Sequence, residues 1–286
     1  MKTLGYYNGE IGEIEDMTVP MNDRANYFGD GVYDATVCVG YAINFLEEHV
    51  DRFYRSAAAL GIVIPCAKND LCALLRDLVL RLDSPDQFVY WQVTRGTAPR
   101  RHAFPAGPAN LWVQLRPEAP ADAGQTYRLV SVPDTRYQHC HIKTLNLIPS
   151  VLAAQKAAQH GCDEAVFHRD GIVTECAHSN IHILKDGVFR THPADCRILP
   201  GIARAHLLRI CDALGIPVCE QAFTLEDLRQ ADEVIVSSSG ECCMRALELD
   251  GQPIGGRAPK LFRRLHDAAF QEFWADIAQN KPASLR

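Results

Sequence analysis

The sequence predicts a mixed α/β (α+β) protein in two domains, and three observations lead there. Apolar residues recur at two periods: Phe88 to Thr94 and Leu111 to Leu115 have the patterning of buried strands, whereas Leu46, Val50, Phe53, Ala57 and Leu60 follow helical spacing. Strand-like and helix-like runs are mixed in both halves of the chain. Between the halves, Pro117-Glu-Ala-Pro-Ala-Asp-Ala-Gly124 combines Pro, Ala, Gly and acids without apolar periodicity, which is linker composition. The expected division is a smaller N-terminal α/β domain over 1–116, a linker over 117–125, and a larger C-terminal domain over 126–286 that carries Lys143.

Element by element, Tyr6 to Ile14 reads as a hairpin around Asn8-Gly9, a preferred two-residue turn. Asp23 to Asp34 reads as a polar loop running into a strand over Ala35 to Val39. The helix from Leu46 stops at Gly61, and a second covers Asp70 to Leu82. Arg95 to Pro105 joins the two buried strands as a loop. Past the linker, Tyr127 to Pro133 is strand-like, and Val151 to His160 is helical and stopped by Gly161. Glu164 to His168 and Ile181 to Phe189 read as strands, with turns at Asp170-Gly171 and Asp186-Gly187. A helix over Arg204 to Leu214, a strand over Glu233 to Ser237 and an amphipathic helix from Pro259 to Ile277 complete the chain.

With 286 residues, 47% hydrophobic and 22% charged, the chain has the composition of an ordinary globular protein. The net charge of −6 argues against nucleic acid as a partner. The 11 cysteines are odd in number and contain no C-x-x-C pair, a pattern of reduced cytosolic thiols. The N-terminus lacks the apolar core of a signal peptide, and no run has the length of about 18 apolar residues that a membrane span needs. A soluble cytoplasmic protein is expected.

The residues that carry chemistry centre on His139-Cys-His-Ile-Lys143-Thr-Leu-Asn-Leu-Ile148. Lys143 lies between a strand-like run and an Ala-rich helix, among Ile142, Leu145, Leu147 and Ile148. Desolvation there would disfavour the ammonium and make the amine nucleophilic, as a Schiff-base lysine requires; the plain alternative is a lysine snorkelling to water. Pro200-Gly-Ile-Ala203 at a helix start offers free backbone N–H groups to an anion. Ser237, Ser238 and Ser239 add hydroxyls, and Arg52 adds a guanidinium; singly, each reads as a loop, a polar turn or an exposed helix arginine. A lysine with a phosphate cradle suggests pyridoxal 5′-phosphate, whose ring nitrogen needs a carboxylate partner, and Glu175 is the candidate.

These segments resemble the D-amino acid aminotransferases among the fold-type IV pyridoxal-phosphate enzymes. The resemblance runs nearly end to end, through Asp23-Arg24, Phe28-Gly-Asp-Gly-Val-Tyr33, Glu48 to Arg52, Val93 to Thr97 with Pro99-Arg100 and His102, Ile142 to Leu147, Val173-Thr-Glu175, Ser179-Asn180, and Gly201-Ile202 with Arg204. It implies that Lys143 carries the cofactor and shuttles the proton, that Glu175 holds the pyridine nitrogen, and that Leu199 packs on the ring. The phosphate would be held by Arg52, Gly201, Ile202, Ala203, Ser239 and Gly240. Tyr33, Arg100 and His102 would grip the substrate α-carboxylate, a task suited to a guanidinium's paired charge-assisted bonds. In such enzymes Arg100 and His102 arrive from the partner subunit, so a homodimer sharing its active sites is implied.

Ala203 and Gly240 stand where relatives carry hydroxyl residues, and Cys176-Ala-His178 replaces a run of small residues. These departures bear on cofactor affinity and substrate range. A metal site is not expected: His139-Cys-His141, taken as strand, would alternate faces. The implied reaction moves the amino group of a D-amino acid, such as D-alanine or D-glutamate, to 2-oxoglutarate or pyruvate. Rival activities on this scaffold are 4-amino-4-deoxychorismate lyase, branched-chain aminotransferase and (R)-amine transaminase.

Overall fold

The computed structural model describes residues 1–282. The chain forms two compact units: Met1–Pro120 with Ile142–Asn146 and the stretch beginning at Ala275, and Ala121–His141 with Leu147–Trp274.

The first unit is built on an antiparallel sheet. Its strands are β1 (Leu4–Tyr7), β2 (Glu10–Gly12), β3 (Gly31–Val39), β4 (Ala42–Ile43), β5 (Gln87–Thr94) and β6 (Asn110–Pro117), in the order β2-β1-β6-β5-β3-β4. Helices α2 (Leu46–Ala59) and α3 (Lys68–Val79) cover it. Leu46, Val50, Phe53 and Ala57 of α2 bury one stripe, as their spacing predicts, in a core with Leu71, Leu75, Leu78, Trp91, Val93, Val113 and Leu115. The stretch expected as a polar loop differs. It holds a short helix, α1 (Arg24–Phe28), capped by Asp23, whose carboxylate accepts the Ala25 N–H at 2.8 Å. Strand β3 then starts at Gly31, four residues earlier than expected, where a Cβ would stand 2.6 Å from the Val93 carbonyl oxygen, so only glycine fits.

The second unit has a mixed sheet. Its strands are β7 (Thr126–Pro133), β8 (Glu164–Arg169), β9 (Ile172–Cys176), β10 (Asn180–Lys185), β11 (Val188–Thr191), β12 (Val218–Cys219), β13 (Glu233–Ser237), β14 (Met244–Leu249) and β15 (Gln252–Pro253). They run in the order β12-β11-β10-β13-β14-β7-β8-β9, with β15 beside β14. Helices α4 (Ile148–Gln159), α5 (Ile202–Leu214) and α6 (Leu225–Arg229) belong here, with most of α7 (Pro259–Asn280). Leu129, Val166, Val173, Ile181, Ile183, Val234 and Val236 form its core, while Ala153 and Ala157 of α4 pack against Val130, Val132, Ala165 and Phe167.

The units part between Pro120 and Ala121, and Lys143 groups with the first of them. The segment Ile142–Asn146 belongs to the first unit rather than to the C-terminal half. Backbone pairing explains this: Val32 and Thr144 form an antiparallel bridge, the Tyr33 N–H donates to the Lys143 carbonyl at 3.0 Å, and the Leu145 N–H donates to Gly31 at 3.1 Å. Ile142 joins that unit's core. Sequence adjacency could not reveal a pairing of residues more than a hundred positions apart.

Candidate active site

In the first unit, Lys143 sits on an edge of backbone that β3 fixes. Its N–H also meets the Ser56 hydroxyl at 3.2 Å, and its half-buried side chain carries Nζ 4.3 Å from the centroid of the Tyr33 ring. That ring is fixed from behind by stacking on Tyr90 at 5.3 Å, which in turn meets Trp112 at 5.4 Å. The structure therefore brings Lys143 and Tyr33 together.

Next to Tyr33, Asp34 is fully buried and binds Arg52 through two bonds, Nε to Oδ2 at 2.8 Å and Nη2 to Oδ1 at 2.7 Å. His49 Nδ1 lies 2.8 Å from Oδ1 of the same carboxylate. Burial alone would raise the Asp34 pKa, but Arg52 and His49 outweigh it and hold the carboxyl well below its ordinary range. For His49, burial together with the Arg52 and Lys143 cations outweighs Asp34, so its pKa falls and the ring is neutral at pH 7. Arg52 is thus a buried, pre-aimed guanidinium and not the exposed helix arginine of the plain reading. Its two bonds to Asp34 use Nε and Nη2, Nη2 also lies 3.4 Å from His49 Nδ1, and Nη1 is not engaged by Asp34.

Arg100 and His102 lie on the exposed loop between β5 and β6, and both lean on Phe28: the Arg100 guanidinium carbon is 5.1 Å from that ring's centroid and the His102 ring 5.2 Å. Among the described residues no hydrogen bond or ring contact joins either to Lys143 or Tyr33. The structure does not gather the three proposed carboxylate ligands at one point within this unit.

In the second unit, Glu175 is buried in β9. Three donors converge on its carboxylate: Arg136 Nη1, Asn180 Nδ2 at 3.0 Å, and the Leu199 N–H at 3.0 Å. Arg136 is held by Asp134, with Nε on Oδ1 and Nη2 on Oδ2 both at 3.0 Å, and lies over the Phe167 ring at 4.4 Å. Asn180 also donates to the Leu199 carbonyl at 3.0 Å, so the amide that fixes Glu175 also fixes the approach to α5. Gly201 is required by this closeness, since a Cβ there would run into the Asn180 amide oxygen.

Gly201 is the N-cap of α5 and supplies no side-chain cap, so the first N–H groups of the helix, at Ile202 and Ala203, are available to an anion. Asn180 pairs in register with Ser237, which puts the start of β10 beside the end of β13. Ser239 and Gly240 follow in a turn closed by Ser238 and Glu241, whose backbones bond reciprocally at 3.1 and 3.2 Å. The residues expected from sequence to hold the cofactor here, Glu175, Leu199, Gly201, Ile202, Ala203, Ser239 and Gly240, all lie on segments that converge at one end of this sheet. His178 is exposed and pairs with Glu164 at 2.9 Å.

His182 braces that end of the sheet: its Nδ1 is 2.9 Å from the Thr191 hydroxyl and its Nε2 2.8 Å from the Ser237 hydroxyl. Burial, aided by Arg204, pushes its pKa down to about 3. In the unfolded chain the ring takes up a proton near pH 6.5, so unfolding is favoured as pH falls from there toward 3 and the penalty vanishes above it. Lowering the pH from 7 to 5 is expected to cost about 2 kcal/mol of stability through this group. Denaturant titrations at both pH values check it, and His182→Gln should reduce the difference by that amount.

Sequence reasoning misses Asp34, His49, Arg136 and Asp134. The first two have a legible signal, for Asp34 shares the inward face of β3 with Val32 and Cys38, and His49 shares the buried stripe of α2. The stretch His139 to His141 forms a turn, not a strand. Among the described residues no cluster of His, Cys, Asp and Glu fits a metal ion. No helix among them is long and apolar enough to cross a membrane.

Comparison with known proteins shows the family. Residues 31–249 match the family described as amino-transferase class IV. The D-alanine aminotransferase of Listeria monocytogenes serotype 4b (strain F2365) is 40% identical over 279 residues, covering 95% of this chain and 96% of the relative. Among solved structures, the branched-chain aminotransferase of Thermoproteus uzoniensis with norvaline superposes with a TM-score of 0.87 at 22% identity, covering 99% of this chain and 96% of that one. The branched-chain amino acid aminotransferase of Escherichia coli gives 0.83 at 25% identity, covering 96% and 95%. With most of its length matched by the family and by a relative of this identity, the chain belongs to the class IV amino-transferases.

Proposed function

We propose that this aminotransferase uses pyridoxal 5′-phosphate to move the amino group of D-amino acids, D-alanine foremost, to a 2-oxo acid such as 2-oxoglutarate, in two alternating half-reactions. The observation that carries the reading is the end-to-end likeness to a D-alanine aminotransferase. The chain's own chemistry fits the cofactor: the first unit offers an amine on fixed backbone and a buried guanidinium, and the second offers a buried carboxylate, an uncapped helix start and a glycine whose side a Cβ would fill. Lys143 would hold the cofactor aldehyde, Glu175 its ring nitrogen, Leu199 its ring face, and Arg52 with Gly201, Ile202, Ala203, Ser239 and Gly240 its phosphate.

Bound pyridoxal phosphate supplies an electron sink that acidifies the substrate Cα–H. Lys143 Nζ would take the proton from the substrate Cα and later return it, as a positioned general base and acid. Glu175, fixed by Arg136, Asn180 and Leu199, keeps the proton on the pyridine nitrogen. Arg100 and His102, with Tyr33, bind the α-carboxylate and so decide which face of Cα meets Lys143. Their exposed loop and its separation from Lys143 support donation of the pair to a second copy. So does an apolar patch at the start of α4, where Ile148, Val151 and Leu152 are 69%, 58% and 66% exposed. A homodimer with shared sites, working in the cytoplasm, follows from this reading.

Donor selectivity tests the proposal. With 2-oxoglutarate as acceptor, D-alanine should release pyruvate at least about 100-fold faster than L-alanine, because the wrong enantiomer cannot place both its carboxylate and its Cα–H. Comparable rates with L-alanine, or turnover of (R)-1-phenylethylamine in preference to D-alanine, would assign one of the rival activities instead.

A further inference from the structure

We propose that Phe28 is the positioning platform for the carboxylate-binding pair, resting on an Arg24–Asp30–Arg95 clamp that fixes the loop bearing Arg100 and His102. The inference rests on the reading of that pair as the α-carboxylate ligands. The loop has little of its own to hold it: residues 99–104 are exposed and carry no regular structure. Arg24 supplies what it lacks. This guanidinium is 3% exposed and donates Nε to Asp30 at 2.7 Å, Nη1 to the Arg101 carbonyl at 2.5 Å and the Ala103 carbonyl at 3.4 Å, and Nη2 to the His102 carbonyl at 3.4 Å. Three successive loop carbonyls thus face one buried cation.

Asp30 also accepts Arg95 Nε at 2.9 Å, and Arg95 reaches back to the Leu60 carbonyl at 2.8 Å while Phe104 lies on its guanidinium at 3.5 Å. The start of the loop, at Arg95, and its middle, at residues 101–103, are therefore tied to one carboxylate. Above the clamp stands the Phe28 ring, 4.9 Å from the Arg24 guanidinium carbon, and the side chains of both Arg100 and His102 lean on it. Arginine and histidine each gain from an aromatic face or edge, and a shared ring sets the spacing between them. Two long side chains on an exposed loop would otherwise sample many rotamers before meeting a carboxylate. The platform keeps the pair aimed.

Phe28 is only half-buried, so Phe28→Leu is expected to fold. It should raise KM for D-alanine about tenfold, the loss of two ring contacts, with kcat within about twofold. The dissociation constant of propionate, a carboxylate with no amino group, should weaken by the same factor in calorimetric titration of the holoenzyme. Phe28→Tyr, which keeps the ring, should hold both values near wild type. In an Arg100→Ala/His102→Ala background, Phe28→Leu should change neither quantity further. Wild-type KM in Phe28→Leu, or an equal effect in that background, overturns the platform while leaving the pair's role intact. A wild-type KM in the Arg100→Ala/His102→Ala variant overturns the carboxylate reading itself, and the platform with it.

Discussion

Lys143→Ala is expected to lose transamination by on the order of 10⁴-fold or more, since in the proposed reading one side chain serves as both nucleophile and proton carrier. The loss should come without unfolding. The segment is held by its backbone, through the Tyr33 N–H on the Lys143 carbonyl, the Leu145 N–H on Gly31 and the Lys143 N–H on Ser56, and none of these bonds uses the amine. Thermal melting near the wild-type temperature is the control. Lys143→Arg sharpens the experiment because it keeps a cation over the Tyr33 ring but offers no nucleophile at neutral pH. Both variants should be equally inactive in a single-turnover assay of pyruvate release from D-alanine. A rate within about tenfold of wild type in Lys143→Arg would mean that charge, not nucleophilicity, is what Lys143 contributes.

Much of this arrangement is legible in the sequence, and what is not has a physical cause. The buried stripe of α2, the strands β5 and β6 and the helix opening at Gly201 follow from periodicity and end signals, which are local. Lys143 stands out in the sequence as the proposed reactive group, yet the unit it belongs to does not, because its partners on β3 are about a hundred residues away and backbone pairing leaves no mark on composition. Arg136 is invisible for the same reason: it lies 39 positions from Glu175, in a stretch that resembles any polar loop. Asp34 and His49 are a different failure. Period-2 and period-3.6 patterns place both on inward faces, and a polar, titratable residue on an inward face signals a buried partner. The platform under Arg100 and His102 escapes sequence reading because Phe28, Arg24 and Asp30 lie in a stretch that looks like an ordinary polar turn.

Glu175→Gln is expected to lower kcat by about 10²–10³-fold, comparable to removing a charge-stabilising group from an active site. A carboxylate has two acceptor oxygens and a full charge to offer; the amide has one acceptor, and its NH₂ cannot accept anything. Arg136, Asn180 and Leu199 all direct donors at this side chain, so in the variant at least one donor faces the amide's own N–H. The environment is then wrong twice: a buried donor is unpaired, and no anion holds the proton on the pyridine nitrogen. The local cost is limited, since Arg136 keeps both bonds to Asp134, and stability should fall by about 1–3 kcal/mol. KM for D-alanine should move by less than about threefold, because the substrate carboxylate is proposed to be read by Arg100 and His102 and not by Glu175. Glu175→Asp separates the two roles: it restores charge with a shorter reach and should recover part of kcat. Steady-state kinetics with a denaturant titration on the same preparations measures both effects. If Glu175→Gln lost only stability and turned over at the wild-type rate, the carboxylate would be a structural anchor for Arg136 and Asn180, and the ring-nitrogen assignment would pass to another acid.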